Sequence, residues 1–150
     1  MELRIALCQC DIAWEQPARN LARLEPMVAA AEADVVLLPE LFATGFTLDP
    51  AGVAEGAGVA ENGRFYNRMY FVKPSGEFIG YDKRHLFAPG GEARQYTPGD
   101  SRAVVEYGGV RFLLLVCYDL RFPVWSRCRG DYDAILCCAS WPAPRREVWR

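Results

Sequence analysis

The sequence predicts an α/β protein built on a mixed sheet, and three features predict it. A strand, a helix and a second strand open the chain, two hairpin signals fill its middle, and a buried apolar run closes it. Leu3 to Gln9 is rich in apolar residues and reads as the first strand. From Pro17 to Ala33, the spacing of Leu21, Leu24, Val28 and Ala31 places an apolar stripe along a helix. Pro17 suits its first turn, whereas Pro26 is expected to kink or divide it. Val35 to Leu38 is continuously apolar, as in a parallel strand covered on both faces. Arg64 to Val72 and Phe78 to Tyr81 flank Pro74-Ser75-Gly76-Glu77 and form the first hairpin signal. Val104 to Tyr107 and Val110 to Val116 flank Gly108-Gly109 and form the second. Asp119 to Arg129 reads as a short helix or turn, and Ala134 to Ala139 as the last strand. Ala51 to Ala60, made almost wholly of Ala, Gly, Val and Glu, is the one compositional oddity.

At 150 residues the chain has the length of one domain, 1–150, and 51% hydrophobic with 24% charged residues is a globular balance. That balance excludes intrinsic disorder, and a net charge of −2 offers no basic excess for nucleic acid. The longest apolar run, Phe112 to Cys117, falls far short of the roughly 18 residues that suggest a membrane span. Met1-Glu2-Leu3-Arg4 leads straight into a strand without the features of a signal peptide, so a cytoplasmic location is the expectation. In that setting the six cysteines read as free thiols. Cys8, Cys10, Cys137 and Cys138 are expected in the core, and Cys128 at an exposed edge. One histidine and no C-x-x-C leave no conventional metal set, so neither metal nor cofactor is expected.

Three strands deliver reactive side chains: Val35–Leu38 leads to Glu40, Phe78–Tyr81 to Lys83 and Val110–Val116 to Cys117. In open α/β sheets the ligand crevice lies beyond the carboxyl ends of strands, so all three are candidates for one site. Each alone has a plainer reading, as a capping group, a surface charge or a core thiol.

Their combination resembles the nitrilase, or carbon–nitrogen hydrolase, superfamily. Cys117-Tyr118-Asp119-Leu120-Arg121-Phe122-Pro123 resembles its nucleophile segment, and Pro39-Glu40-Leu41-Phe42 with Thr44-Gly45-Phe46 its general-base segment. Tyr81-Asp82-Lys83-Arg84-His85-Leu86-Phe87 resembles the lysine segment, Glu92 matches the second glutamate, and Ser140-Trp141-Pro142 matches the segment after the next strand. Tyr118 to Trp125 and Lys83 to Phe87 look most like the omega-amidase branch, which hydrolyses small ω-amides such as 2-oxoglutaramate. The resemblance implies Cys117 as nucleophile, Glu40 as general base, Lys83 at the oxyanion, and Glu92 orienting Lys83 or sharing proton duty. The Tyr118 N–H is a second oxyanion donor in this reading. Phe46, Tyr118 and Trp141 either wall a small substrate pocket or pack into the core. Arg121 reads as a structural partner of Asp119 or another acid, His85 as structural, and Arg145 and Arg146 as solvated.

The implied fold is a partial α-β-β-α sandwich, homodimeric in the full-length family, with a small-molecule amide as its partner. The family places a helix and a further strand between the base segment and the strand before the lysine hairpin. Here that interval is short, and the chain stops just after Trp-Pro. The expectation is therefore an incomplete domain of low stability. Other amides of the family, such as deaminated glutathione or N-carbamoyl compounds, and an inactive remnant remain alternatives.

Overall fold

A computed structural model of the chain describes residues 2–52 and 59–149. Strand β1 (Ile5–Leu7), helix α1 (Pro17–Ala29) and strand β2 (Val35–Leu37) form the expected unit. The two strands pair in parallel with Ile5 opposite Val35 and Leu7 opposite Leu37. Pro26 does not divide α1. It sits in the last turn, where it interrupts the ladder at one bond only, and the helix closes with Ala30 N–H donating to the Pro26 carbonyl. Of the expected apolar stripe only Leu24 is buried; Leu21 is 50% exposed and Val28 39%.

Strands β3 (Val59–Glu61) and β4 (Arg64–Tyr66) form an antiparallel hairpin; the sequence reading ran β4 on into the following strand as Arg64 to Val72 and did not anticipate β3. Its turn is Asn62-Gly63, both at positive φ, the pairing that a two-residue hairpin turn favours. The compositional oddity at Ala51 to Ala60 lies mostly outside the described residues. Asn67 then separates β4 from β5 (Arg68–Val72), which pairs with β6 (Phe78–Asp82) across the expected turn.

Strands β7 (Val104–Tyr107), β8 (Val110–Val116) and β9 (Ala134–Cys138) form one mixed sheet, antiparallel between β7 and β8 and parallel between β8 and β9. A 3₁₀ turn at Cys117–Arg121 and the short helix α2 (Pro123–Ser126) make the crossover. A second such turn, Ala143–Arg145, and helix α3 (Arg146–Trp149) follow β9. The uninterrupted apolar run of β8 now has its reason: Phe112 through Val116 are all buried. Phe112, Leu114 and Val116 join Met69, Phe71 and Tyr81 of the β5–β6 hairpin and Leu136 and Cys138 of β9 in one core.

The cysteines depart from expectation. Among the four assigned to the core only Cys138 is buried, while Cys8, Cys10 and Cys137 are half-buried and Cys128 is exposed. Cys8 and Cys10 fall beyond the end of β1 at Leu7, where the alternation of half-buried and exposed residues begun at Ala6 continues. Among the described residues no helix is long and apolar enough to cross a membrane.

Leu114 is enclosed on every side by this core, so Leu114→Ala leaves a cavity that rigid neighbours fill only in part. The substitution is expected to lower stability by about 2–5 kcal/mol in urea unfolding; a change below about 0.5 kcal/mol would place Leu114 outside the core.

Candidate active site

Three carboxyl-terminal strand ends converge. Beyond β2, a tight turn carries Glu40 inward; Thr44 and Gly45 donate back to the Leu41 carbonyl, and Gly45 adopts a positive φ. Asn20 of α1 clamps this turn, donating to the carbonyls of Ala13 and Ala43, both at 2.7 Å. Beyond β6, Lys83 is fixed by its own N–H to the Asn67 carbonyl and by its carbonyl to the Gly99 N–H. A Cβ at position 99 would collide with the Asp82 carbonyl, so glycine permits this approach. Glu92 heads a short 3₁₀ turn.

These elements bring Glu40, Lys83 and Glu92 together, each 2% exposed or less. Lys83 Nζ lies 2.8 Å from Glu40 Oε1 and 2.9 Å from Glu92 Oε2. Asn67 Nδ2 donates to Glu40 Oε1 and Glu92 Oε1, each at 2.8 Å, spanning the same two carboxylates. Glu92 also accepts the Phe87 N–H, and Glu40 Oε2 the Ser140 N–H at 3.0 Å. Burial by itself pulls the Lys83 ammonium down, and the charges of Glu40 and Glu92 reverse this, so its pKa stands above the ordinary lysine value. The lysine is a permanently charged fixture.

Cys117 sits where β8 ends, buried and at φ 46°. That left-handed conformation strains a residue carrying a Cβ and turns its side chain out of the strand. Burial raises the thiol above its ordinary pKa, the negative charge of Glu40 raises it further, and Lys83 opposes both. These influences favour the thiol over the thiolate. Tyr118, second in the 3₁₀ turn, has an amide that precedes the first hydrogen bond closing that turn.

Asp119, read from the sequence only as a partner for Arg121, instead anchors this turn. Its buried carboxylate accepts the Tyr81 hydroxyl at 2.8 Å, the Val116 N–H at 3.1 Å and the His85 N–H at 2.8 Å. His85 Nδ1 lies 2.8 Å away, and the ring stacks on Phe122 at 3.7 Å. Arg121 makes no ion pair with Asp119; it donates to the Val148 carbonyl and lies over Trp141. Asp119 is already surrounded by donors from the lysine segment, which leaves no room for a guanidinium.

Phe46 and Tyr118 both meet the edge of Phe87, at 6.5 and 5.1 Å between centroids, making an aromatic wall beside Glu92. Trp141 packs partly on the core and partly between two guanidinium groups. One of these belongs to Arg145, which is half-buried rather than solvated. Sequence reasoning gave no site role to Asn67, which it read inside one strand from Arg64 to Val72, and took Arg145 as solvated; Phe87 and Asp119 lay inside the lysine and nucleophile segments without a role of this kind. Among the described residues no group of acidic, His and Cys side chains could hold a metal.

A thiol at a strand end beside a lysine held by two glutamates belongs with the amidase-type hydrolases. The chain is a member of the carbon–nitrogen hydrolase family, whose model matches residues 47–147. It is 39% identical to the omega-amidase YafV of Yersinia enterocolitica, over 99% of this chain and 67% of that protein. Identity to the 2-oxoglutaramate amidase of Bacillus subtilis is 31%, covering 100% of this chain and 70% of that protein. Among solved structures, XC1258 of Xanthomonas campestris, a CN-hydrolase superfamily protein with an arsenic adduct in its active site, superimposes with a TM-score of 0.88. It is 33% identical and covers 98% of this chain and 68% of its own. A Nesterenkonia amidase bound to butyramide, 24% identical, shares the fold with a TM-score of 0.80 over 97% of this chain and 68% of its own. The alignment with the Yersinia protein runs to 171 positions, longer than this chain, so that relative carries residues this chain lacks.

The buried protons of this centre make stability sensitive to alkali. Lys83, Cys117 and Tyr81 all hold protons above their ordinary pKa, and Tyr96 and Cys137 are each pushed up to about 12. Between the unfolded and folded values, the folded state keeps protons that the unfolded chain has lost, so stability falls as pH rises. Melting temperature is expected to decline steadily from about pH 9 upward. A flat profile between about pH 9 and 11 would contradict the burial described here.

Proposed function

We propose that this centre hydrolyses the carbon–nitrogen bond of a small ω-amide through a thioester on Cys117. The observation that carries the proposal is the buried Lys83, bound to both Glu40 and Glu92, with the Cys117 thiol under the influence of the same charges. Glu40 takes the thiol proton as Sγ attacks the amide carbon. An ammonium has three N–H donors, and two of the Lys83 directions are committed to the glutamates. The third, with the Tyr118 N–H, holds the developing oxyanion. Collapse returns the proton from Glu40 to the nitrogen, ammonia leaves and the thioester remains. Glu40 then deprotonates a water that attacks the thioester, and the regenerated thiolate recovers the proton as the carboxylic acid departs.

The proton is assigned to Glu40 because Glu40, not Glu92, is the carboxylate whose charge and hydrogen bond act on the Cys117 thiol. Glu92 accepts from Lys83, Asn67 and Phe87, so its part is to hold Lys83 in place. The aromatic wall of Phe46, Phe87 and Tyr118 favours a short, narrow substrate, with Trp141 at its margin. The names of the Yersinia and Bacillus relatives support 2-oxoglutaramate as the first compound to assay. The reading takes the enzyme to be cytoplasmic and cofactor-free.

Ammonia release from 2-oxoglutaramate is expected to fall by about a thousandfold or more in Cys117→Ala. Equal rates in the variant and the parent chain would remove the thiol mechanism.

A further inference from the structure

We propose that Arg145 is the residue that meets the carboxylate at the far end of the substrate and so sets the orientation in which it enters. This deepens, and rests on, the amidase reading above. Arg68, Arg102, Arg111 and Arg146 each meet a carboxylate of the chain. Arg145, although half-buried, forms no ion pair among the described residues. Its guanidinium instead lies 5.1 Å from the ring centre of Phe87 and 5.2 Å from that of Trp141.

Both rings are tied to the catalytic carboxylates. Phe87 donates its N–H to Glu92, and Ser140, the neighbour of Trp141, donates its N–H to Glu40. Trp141 Nε1 also donates to the Arg145 carbonyl at 2.8 Å, which fixes the turn that carries the guanidinium. Arg145 is therefore held at the rim of the centre by the same two segments that build it. A guanidinium held against two rings and without an ion pair has N–H groups to offer an acceptor, and a paired fork of these fits a carboxylate. Arg121, 5.5 Å from the Trp141 ring centre, adds a second positive charge to that rim. An anionic substituent is attracted there and an ammonium repelled. The amide is then left facing Cys117, so the molecule enters in one orientation.

The test compares succinamate with butyramide, an amide of equal length that lacks the carboxylate, on the full chain and its Arg145→Ala and Arg145→Lys variants. Arg145→Ala is expected to raise KM for succinamate about 10- to 100-fold, with kcat changed by less than about threefold and butyramide kinetics unaltered. Arg145→Lys recovers part of the loss, since charge returns without the fork. Calorimetric titration with glutarate, which no amidase consumes, reads the same contact without turnover, and Arg145→Ala weakens it by a similar factor. Equal damage to both amides, no glutarate binding, or glutarate binding indifferent to Arg145 would overturn the assignment. Binding that depends on Arg145 in a chain that releases no ammonia would sink the amidase reading and leave the carboxylate site standing.

Discussion

The buried ammonium of Lys83 is the constraint around which this molecule is organised. A lone ammonium in a dry interior costs several kcal/mol, and two carboxylates offset that cost only while all three groups stay in register. Glu40 arrives after β2, Lys83 after β6 and Glu92 from a separate turn, so the ion cluster fastens three stretches of chain that share no strand pairing. Asn67 closes the ring by donating to both carboxylates and receiving the Lys83 N–H on its own carbonyl. Chemistry and architecture draw on the same bonds here. The charge that would steady an oxyanion also holds the sheets to one another.

Asp119 performs the matching task for the thiol. Its acceptors collect a strand end, a tyrosine and the backbone of His85, which fixes the Cys117 turn against the segment that carries the lysine. Trp125 completes the arrangement by donating to the Tyr81 hydroxyl at 3.0 Å. The position of Cys117 relative to Lys83 thus depends on one carboxylate that touches neither.

Much of this was legible in the order of residues. Strand ends that deliver Glu40, Lys83 and Cys117 stand out because apolar runs stop at reactive groups, and turn chemistry at Pro74–Glu77 and Gly108-Gly109 marked both expected hairpins. What escaped depends on long-range partners. Asn67 looks like any polar residue within a strand until two distant glutamates converge on it. Arg145 looks solvated beside Arg146 until Phe87, distant in sequence, meets it. The stripe on α1 failed for the converse reason: periodicity says which side of a helix is apolar, not whether anything covers it.

Under the proposed mechanism, the left-handed backbone at Cys117 sets activity against durability. Any residue with a Cβ at this position carries the conformational penalty, of order 1–3 kcal/mol, and glycine alone escapes it. Drift toward glycine would reward the folded state while erasing the thiol, so a lineage freed from the need for turnover has an easy path to a sturdier, silent protein. Under the proposed mechanism, the cysteine at that corner records selection for chemistry over stability.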